Sequence, residues 1–267
     1  MSILLFKLLI TPMLIWLVSM AGRRWGSVVS GLLIGLPLTS GPISLVFAFE
    51  HGAGFSASAA VGTLAGEMSV CLFCLVFASV AQRANWVVSM FSGIVVILLS
   101  TWLWSLVNWQ LLSVTLSVVA LTLAVVSLIP YRSYAGTPVV PPRWDLPARM
   151  VLTTGFMLLL TAVASSLGPK LSGLIAPFPI FTIVFASFTH ARQGPQAASN
   201  LLRGIVLSAA GFIVFFLVVG AALPQFGIAT TYITATLLAV LASGLYYFVS
   251  SISRLKAIDA ALRERYS

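Results

Sequence analysis

Ionisable side chains are scarce in this chain. Asp and Glu number five, His two and Cys two among 267 residues, and only 7% of positions are charged. That scarcity argues against reaction chemistry, because acid–base pairs and metal sites need several such groups converging in space. We therefore expect no enzyme, no metal and no cofactor. Cys71 and Cys74 have a C-x-x-C spacing, but inside the apolar run Val70-Cys71-Leu72-Phe73-Cys74-Leu75. Neither further metal ligands nor the βαβ surroundings of a redox motif accompany them, so they read as small packing residues. No glycine-rich nucleotide loop occurs, which leaves ATP-driven work by this chain unsupported. Short segments of period-two alternation are missing as well, which argues against a β-barrel.

What fills the chain instead is apolar: 60% hydrophobic residues and a mean hydropathy of +1.10. Most of it parses into runs of 18 or more apolar residues separated by short polar breaks, the pattern of a polytopic helical membrane protein. The expected fold is an all-α membrane bundle of nine spans, roughly residues 3–20, 25–50, 55–81, 85–107, 109–129, 148–167, 171–190, 197–222 and 227–252. The first run lacks a basic segment before it and is followed by Arg23 and Arg24, so it reads as a retained span rather than a signal peptide.

Lys and Arg set the orientation. With the N-terminus outside, the cytoplasmic segments hold Arg23, Arg24, Arg83, Arg132, Arg143, Arg149, Arg192, Arg203, Arg254, Lys256, Arg263 and Arg265, against Lys7 and Lys170 outside. We expect the N-terminus outside and the C-terminus cytoplasmic. The net charge of +9 follows from this bias and implies no nucleic acid partner. Trp25, Trp86, Trp109 and Trp144 fall near span ends as interfacial anchors.

A duplication runs through the chain at an offset of 142. Gly26, Ser30, Gly31, Leu32 and Pro37 recur as Gly168, Ser172, Gly173, Leu174 and Pro179, and Gly52 and Gly62 recur as Gly194 and Gly204. The division expected is a first repeat over 1–108, a linking span and proline-rich linker over 109–148, a second repeat over 149–252 and an amphipathic tail over 253–267. Five spans separate equivalent points, so the two copies should be inverted relative to each other. Inverted repeats with broken helices are typical of secondary transporters, with the site near the midplane.

The run Ser172-Gly173-Leu174-Ile175-Ala176-Pro177-Phe178-Pro179-Ile180-Phe181-Thr182, followed by a polar turn and another span, resembles the GlpM family of small bacterial membrane proteins. Members of that family look like a single four-span unit about the length of residues 149–252. The resemblance implies an inner-membrane location and units that pair in the bilayer. It lends no catalytic residues.

The helix breaks supply the candidate substrate site: Pro37, Thr39 and Ser40 in the first copy, Pro177, Pro179 and Thr182 in the second. Each proline frees a carbonyl, the hydroxyls offer polar atoms, and half-helix N-termini favour an anion. The plainer reading of each is a proline kink capped by neighbours.

Glu67 and Arg203 are the candidate proton or ion relay, because an ionisable group inside a span is costly. Counted from the cytoplasmic ends of their spans, Glu67 lies about 12 Å deep and Arg203 about 10 Å, so the two sit at similar depth, where a pair is open to them. The plainer reading is a structural ion pair or a snorkelling Arg. Glu50 with His51, and His190 with Arg192, sit at opposite span ends as candidate gates. The leading function class is a transporter or exporter of a small anionic solute, driven by protons. A lipid or lipid-linked precursor translocase and a non-transporting assembly subunit are the alternatives. The expected partners are the lipid bilayer and a small-molecule or lipid substrate, with a homo-oligomer left open.

Overall fold

The computed structural model describes residues 40–130 and 178–245 throughout, with Pro37 and scattered positions within 12–25 and 144–175. All regular structure among the described residues is helical. Seven helices are traced: α1 (Ser40–His51), α2 (Ala53–Ala81), α3 (Trp86–Ser105), α4 (Leu111–Leu128), α5 (Ile180–Gln193), α6 (Pro195–Phe226) and α7 (Ile228–Leu245). Five of them, α2, α3, α4, α6 and α7, are long and apolar enough to cross a membrane. Their outer faces carry Leu98, Leu99 and Trp102 on α3, Leu116 and Leu123 on α4, and Leu237 and Leu241 on α7, all exposed. A continuous apolar exterior of this extent fits a bilayer, where every helix satisfies its own backbone. The chain is a multi-pass membrane protein.

The helices α2 and α6 form the buried centre. They run antiparallel: near one end the Gln82 amide donates to Ser199 Oγ at 2.9 Å, and near the other a Cβ placed on Gly220 would lie 3.7 Å from Ala60. One core gathers Cys74, Phe77 and Ala78 of α2 with Phe185 of α5 and Leu201, Leu202 and Ile205 of α6. The other gathers Leu64 and Met68 of α2 with Ala48 of α1, Phe212 and Phe216 of α6, and Tyr232 of α7. Close approach depends on small residues, as expected where lipid removes any hydrophobic drive between helices. Ala57, Ala59, Ala60, Ala65 and Gly66 on α2 and Ala197, Ala198, Gly204 and Ala209 on α6 are all buried.

The expected long second span is broken. Pro37 lies at a bend, and α1 begins three residues later. At 12 and 14 residues, α1 and α5 are about 18 and 21 Å long, too short to cross a core of about 30 Å alone. Their starts match at the 142-residue offset: Gly41 N–H donates to the Pro37 carbonyl at 2.9 Å, and Ile183 N–H to the Pro179 carbonyl at 2.7 Å. Their ends match too. Gly52 and Gly194 both adopt φ +87°, turning α1 into α2 and α5 into α6. Ser69 accepts from Thr101 at 3.1 Å between α2 and α3, and the offset positions Gly211 and Ser243 lie in close contact between α6 and α7.

These glycines make a graded prediction. A Cβ at Gly52 or Gly194 meets nothing within 4 Å, so alanine there suffers only from the positive φ. Each substitution should cost about 1–2 kcal/mol, and the two should agree. Gly211→Ala should cost more, about 1–3 kcal/mol beyond its propensity gain, because its Cβ would stand 2.7 Å from the Ala239 carbonyl. Thermal unfolding in detergent orders the three. A Gly211→Ala protein that melts above Gly52→Ala would contradict the packing described.

Candidate functional site

The break residues are buried where they are described. Ser40 and Thr182 are both buried, and Pro37 is half-buried. Pro179 has φ −83° and ψ 56°, and Ile180 N–H donates to the Phe178 carbonyl at 2.8 Å, which is an inverse γ-turn at the start of α5. Thr39 and Pro177 lie outside the described residues, as do most of residues 1–36, the 131–176 segment outside its scattered positions, and the tail.

Phe215 of α6 connects the first break to the centre of the bundle. Its ring would lie 3.3 Å from a Cβ on Gly41, in the first turn of α1. Leu174, just before the second break, packs into the core that contains Phe215 and Ala48, while Phe178, Phe181 and Ile183 pack against the other core. The second broken segment thus touches both.

Glu67 is 4% exposed and sits in the middle of α2. Ser56, Ala60, Thr63, Glu67, Cys71 and Cys74 follow one another at three- and four-residue spacing and share one helix face. That face meets α1 and α7 through Ser56, α6 through Ala60 and α4 through Cys71, whose Sγ is 3.6 Å from Thr122 Oγ1. The register set by Gln82–Ser199 and Ala60–Gly220 places Glu67 level with Ile213 and Val214. Phe215 and the first break are within about one turn of that level. The Glu67 carboxyl is thus held in the buried centre of the bundle.

Arg203 is elsewhere. The same register sets it level with Phe77, about ten residues or 15 Å along the axis from Glu67, which rules out that pair. The depth argument failed because α2 has 29 residues and is about 44 Å long, so subtracting from a 30 Å core put Glu67 too close to the Ala81 end of the helix. Arg203 is half-buried, and its Nη1 donates to the Ile129 carbonyl at 3.3 Å, at the C-terminus of α4. A cation there satisfies a carbonyl that the helix leaves open.

The four gate candidates occupy the last turns of α1 and α5. Glu50 and His51 are exposed, and the His51 ring stacks against Phe55 at 4.6 Å. Arg192 is exposed and lies over the Trp144 ring at 4.8 Å, a cation–π contact that suits an interfacial anchor. His190 is buried, its Nδ1 unbonded, with its ring 6.0 Å from Phe77. Among the described residues no group of three metal-ligating side chains occurs.

Sequence reasoning missed the hydroxyl contacts between helices: Ser44, Ser56 and Tyr232 bond one another from α1, α2 and α7. Their separation by up to 188 positions left no local signal.

The separation of Glu67 from Arg203 is testable by a double-mutant cycle. Glu67→Gln should change stability by under about 1 kcal/mol, where breaking a buried pair would cost about 3–5. The coupling between Glu67→Gln and Arg203→Gln should stay below about 0.5 kcal/mol in thermal or denaturant unfolding. No protein-family model, curated protein or solved structure matches this chain.

Proposed function

We propose that this protein is a proton-coupled secondary transporter of a small anionic solute, built as an inverted repeat of broken-helix units. The observation that carries the reading is the buried Glu67 carboxyl in the middle of α2, level with the first helix break. Irregular backbone at membrane depth is tolerated where it lines a cavity, and an intramembrane carboxylate marks an ion or proton pathway.

The repeat is supported by the equivalent hydrogen bonds at Pro37 and Pro179, the equal φ at Gly52 and Gly194, and the antiparallel course of α2 and α6. Equivalent helices that run antiparallel are related by an axis in the membrane plane. The nine spans, the GlpM resemblance, an outside N-terminus and the inner membrane belong to the same proposal. In it the Gly52 turn is external and the Gly194 turn cytoplasmic.

The mechanism joins the breaks to the carboxyl. The N-termini of α1 and α5 present backbone N–H groups that attract an anion, with Ser40 and Thr182 beside them. An ionised Glu67 at the same depth repels that anion, and a protonated one does not. Anion and proton therefore move together, the proton on Glu67. Arg203 serves the fold by capping α4, and His190 and Arg192 stand at the cytoplasmic entrance.

Liposomes holding the purified protein and a pH dye test this. Adding inorganic phosphate and a panel of mono- and dicarboxylates outside should acidify the lumen with at least one of them. Glu67→Gln should lower that solute-driven proton entry at least tenfold, on the order of 1.4 kcal/mol or more. Silence with every anion would defeat the transporter reading, and a fully active Glu67→Gln would defeat the relay. A lipid translocase would instead move labelled lipid between leaflets without a pH change.

A further inference from the structure

Ser44, Ser56 and Tyr232 form a ring of hydroxyls that the transport mechanism above does not use. Tyr232 OH is 2.7 Å from Ser44 Oγ and 3.0 Å from Ser56 Oγ, the two serine oxygens are 3.0 Å apart, and Ser56 Oγ donates to the Ser44 carbonyl at 2.9 Å. All three side chains are buried. The ring joins α1 and α2 to α7, a helix from the other end of the chain. It lies close to the Gly52 turn, with Ser56 one turn beyond it.

At the 142-residue offset the three positions are Ala186, Ala198 and Met90, which carry no hydroxyl. The Gly194 end instead has Gln82 bonded to Ser199. That is one contact between the halves, on a half-buried side chain, against the two that buried Tyr232 makes with Ser44 and Ser56. Intramolecular hydrogen bonds keep a net advantage even over water, and separating buried hydroxyls strands each of them. The two ends are therefore held unequally.

We propose that Ser44, Ser56 and Tyr232 are a latch that holds the two halves together at the Gly52 face, so that the protein rests closed there. The proposal rests on the reading that the halves rock against each other. Opening the Gly52 face requires both Tyr232 contacts to part, while the Gly194 face gives up one.

Cysteine labelling separates the latch from the rocking. In a Cys71→Ala/Cys74→Ala background, Ala60→Cys reports one turn beneath the latch and Ala198→Cys reports the opposite end. Both native side chains are buried. A membrane-impermeant charged thiosulfonate is applied from the Gly52 face for the first reporter and from the Gly194 face for the second. Tyr232→Phe should speed labelling at Ala60→Cys about tenfold, and Ser56→Ala should do the same, with a thermal melt checking that each variant is folded. Slower labelling at Ala198→Cys in the same variants supports latch and rocking together. Unchanged labelling there keeps the latch and removes the rocking. Labelling at Ala60→Cys that stays within about twofold, or that rises at both ends through general loosening, overturns the latch.

Discussion

The close antiparallel contact of α2 and α6 fixes the position of everything else. In a bilayer, apolar side chains gain little by leaving lipid for one another, so helices associate through close packing and a few polar bonds. Alanine and glycine along both helices let the backbones approach, and Gln82–Ser199 holds one end in register. Once that pair is set, α3 and α7 pack on its flanks through Ser69–Thr101 and Gly211–Ser243, and α4 lies against both. The short helices α1 and α5 are then tied to the outer ends of α2 and α6 by single glycine turns. Two half-length helices must end inside the bundle, because neither is long enough to leave it.

Much of this is legible in the sequence, for a physical reason. Apolar runs of membrane length announce α2, α3, α4 and α6 within a few residues, since lipid makes a continuous apolar exterior obligatory. Gly52 and Gly194 are legible as a pair because a positive φ excludes most side chains. Pro37 and Pro179 mark the helix starts, since each lacks the N–H a preceding turn would need.

Other features leave no such trace. Counting residues from a span's end gives depth only if the helix matches the bilayer, and at 29 and 32 residues α2 and α6 exceed it. Glu67 and Arg203 were therefore misjudged as neighbours. The bond from Arg203 to Ile129 depends on where α4 ends relative to α6, which no periodicity in either helix encodes. The same holds for Tyr232, which stands in a threonine-rich stretch with no local mark of the serine partners that the fold places beside it.

In the proposed transporter, the asymmetry between the two halves is what gives a pseudo-symmetric bundle its direction. A perfectly repeated protein would hold both faces equally and place ionisable groups in pairs. Here Glu67 corresponds to Ala209 and Arg203 to Val61, so each charge occurs once. The hydroxyl ring likewise has Ala186, Ala198 and Met90 at its counterpart. In the proposed mechanism a lone carboxyl near one break couples a proton to the anion, while the other break has Ala209 at the equivalent position. On the proposed reading the repeated glycines and prolines supply the scaffold, two broken helices facing opposite ways. In that reading the copies differ in their chemistry: the repeat is clearest in glycines and prolines, while Glu67 and Arg203 have the uncharged counterparts Ala209 and Val61.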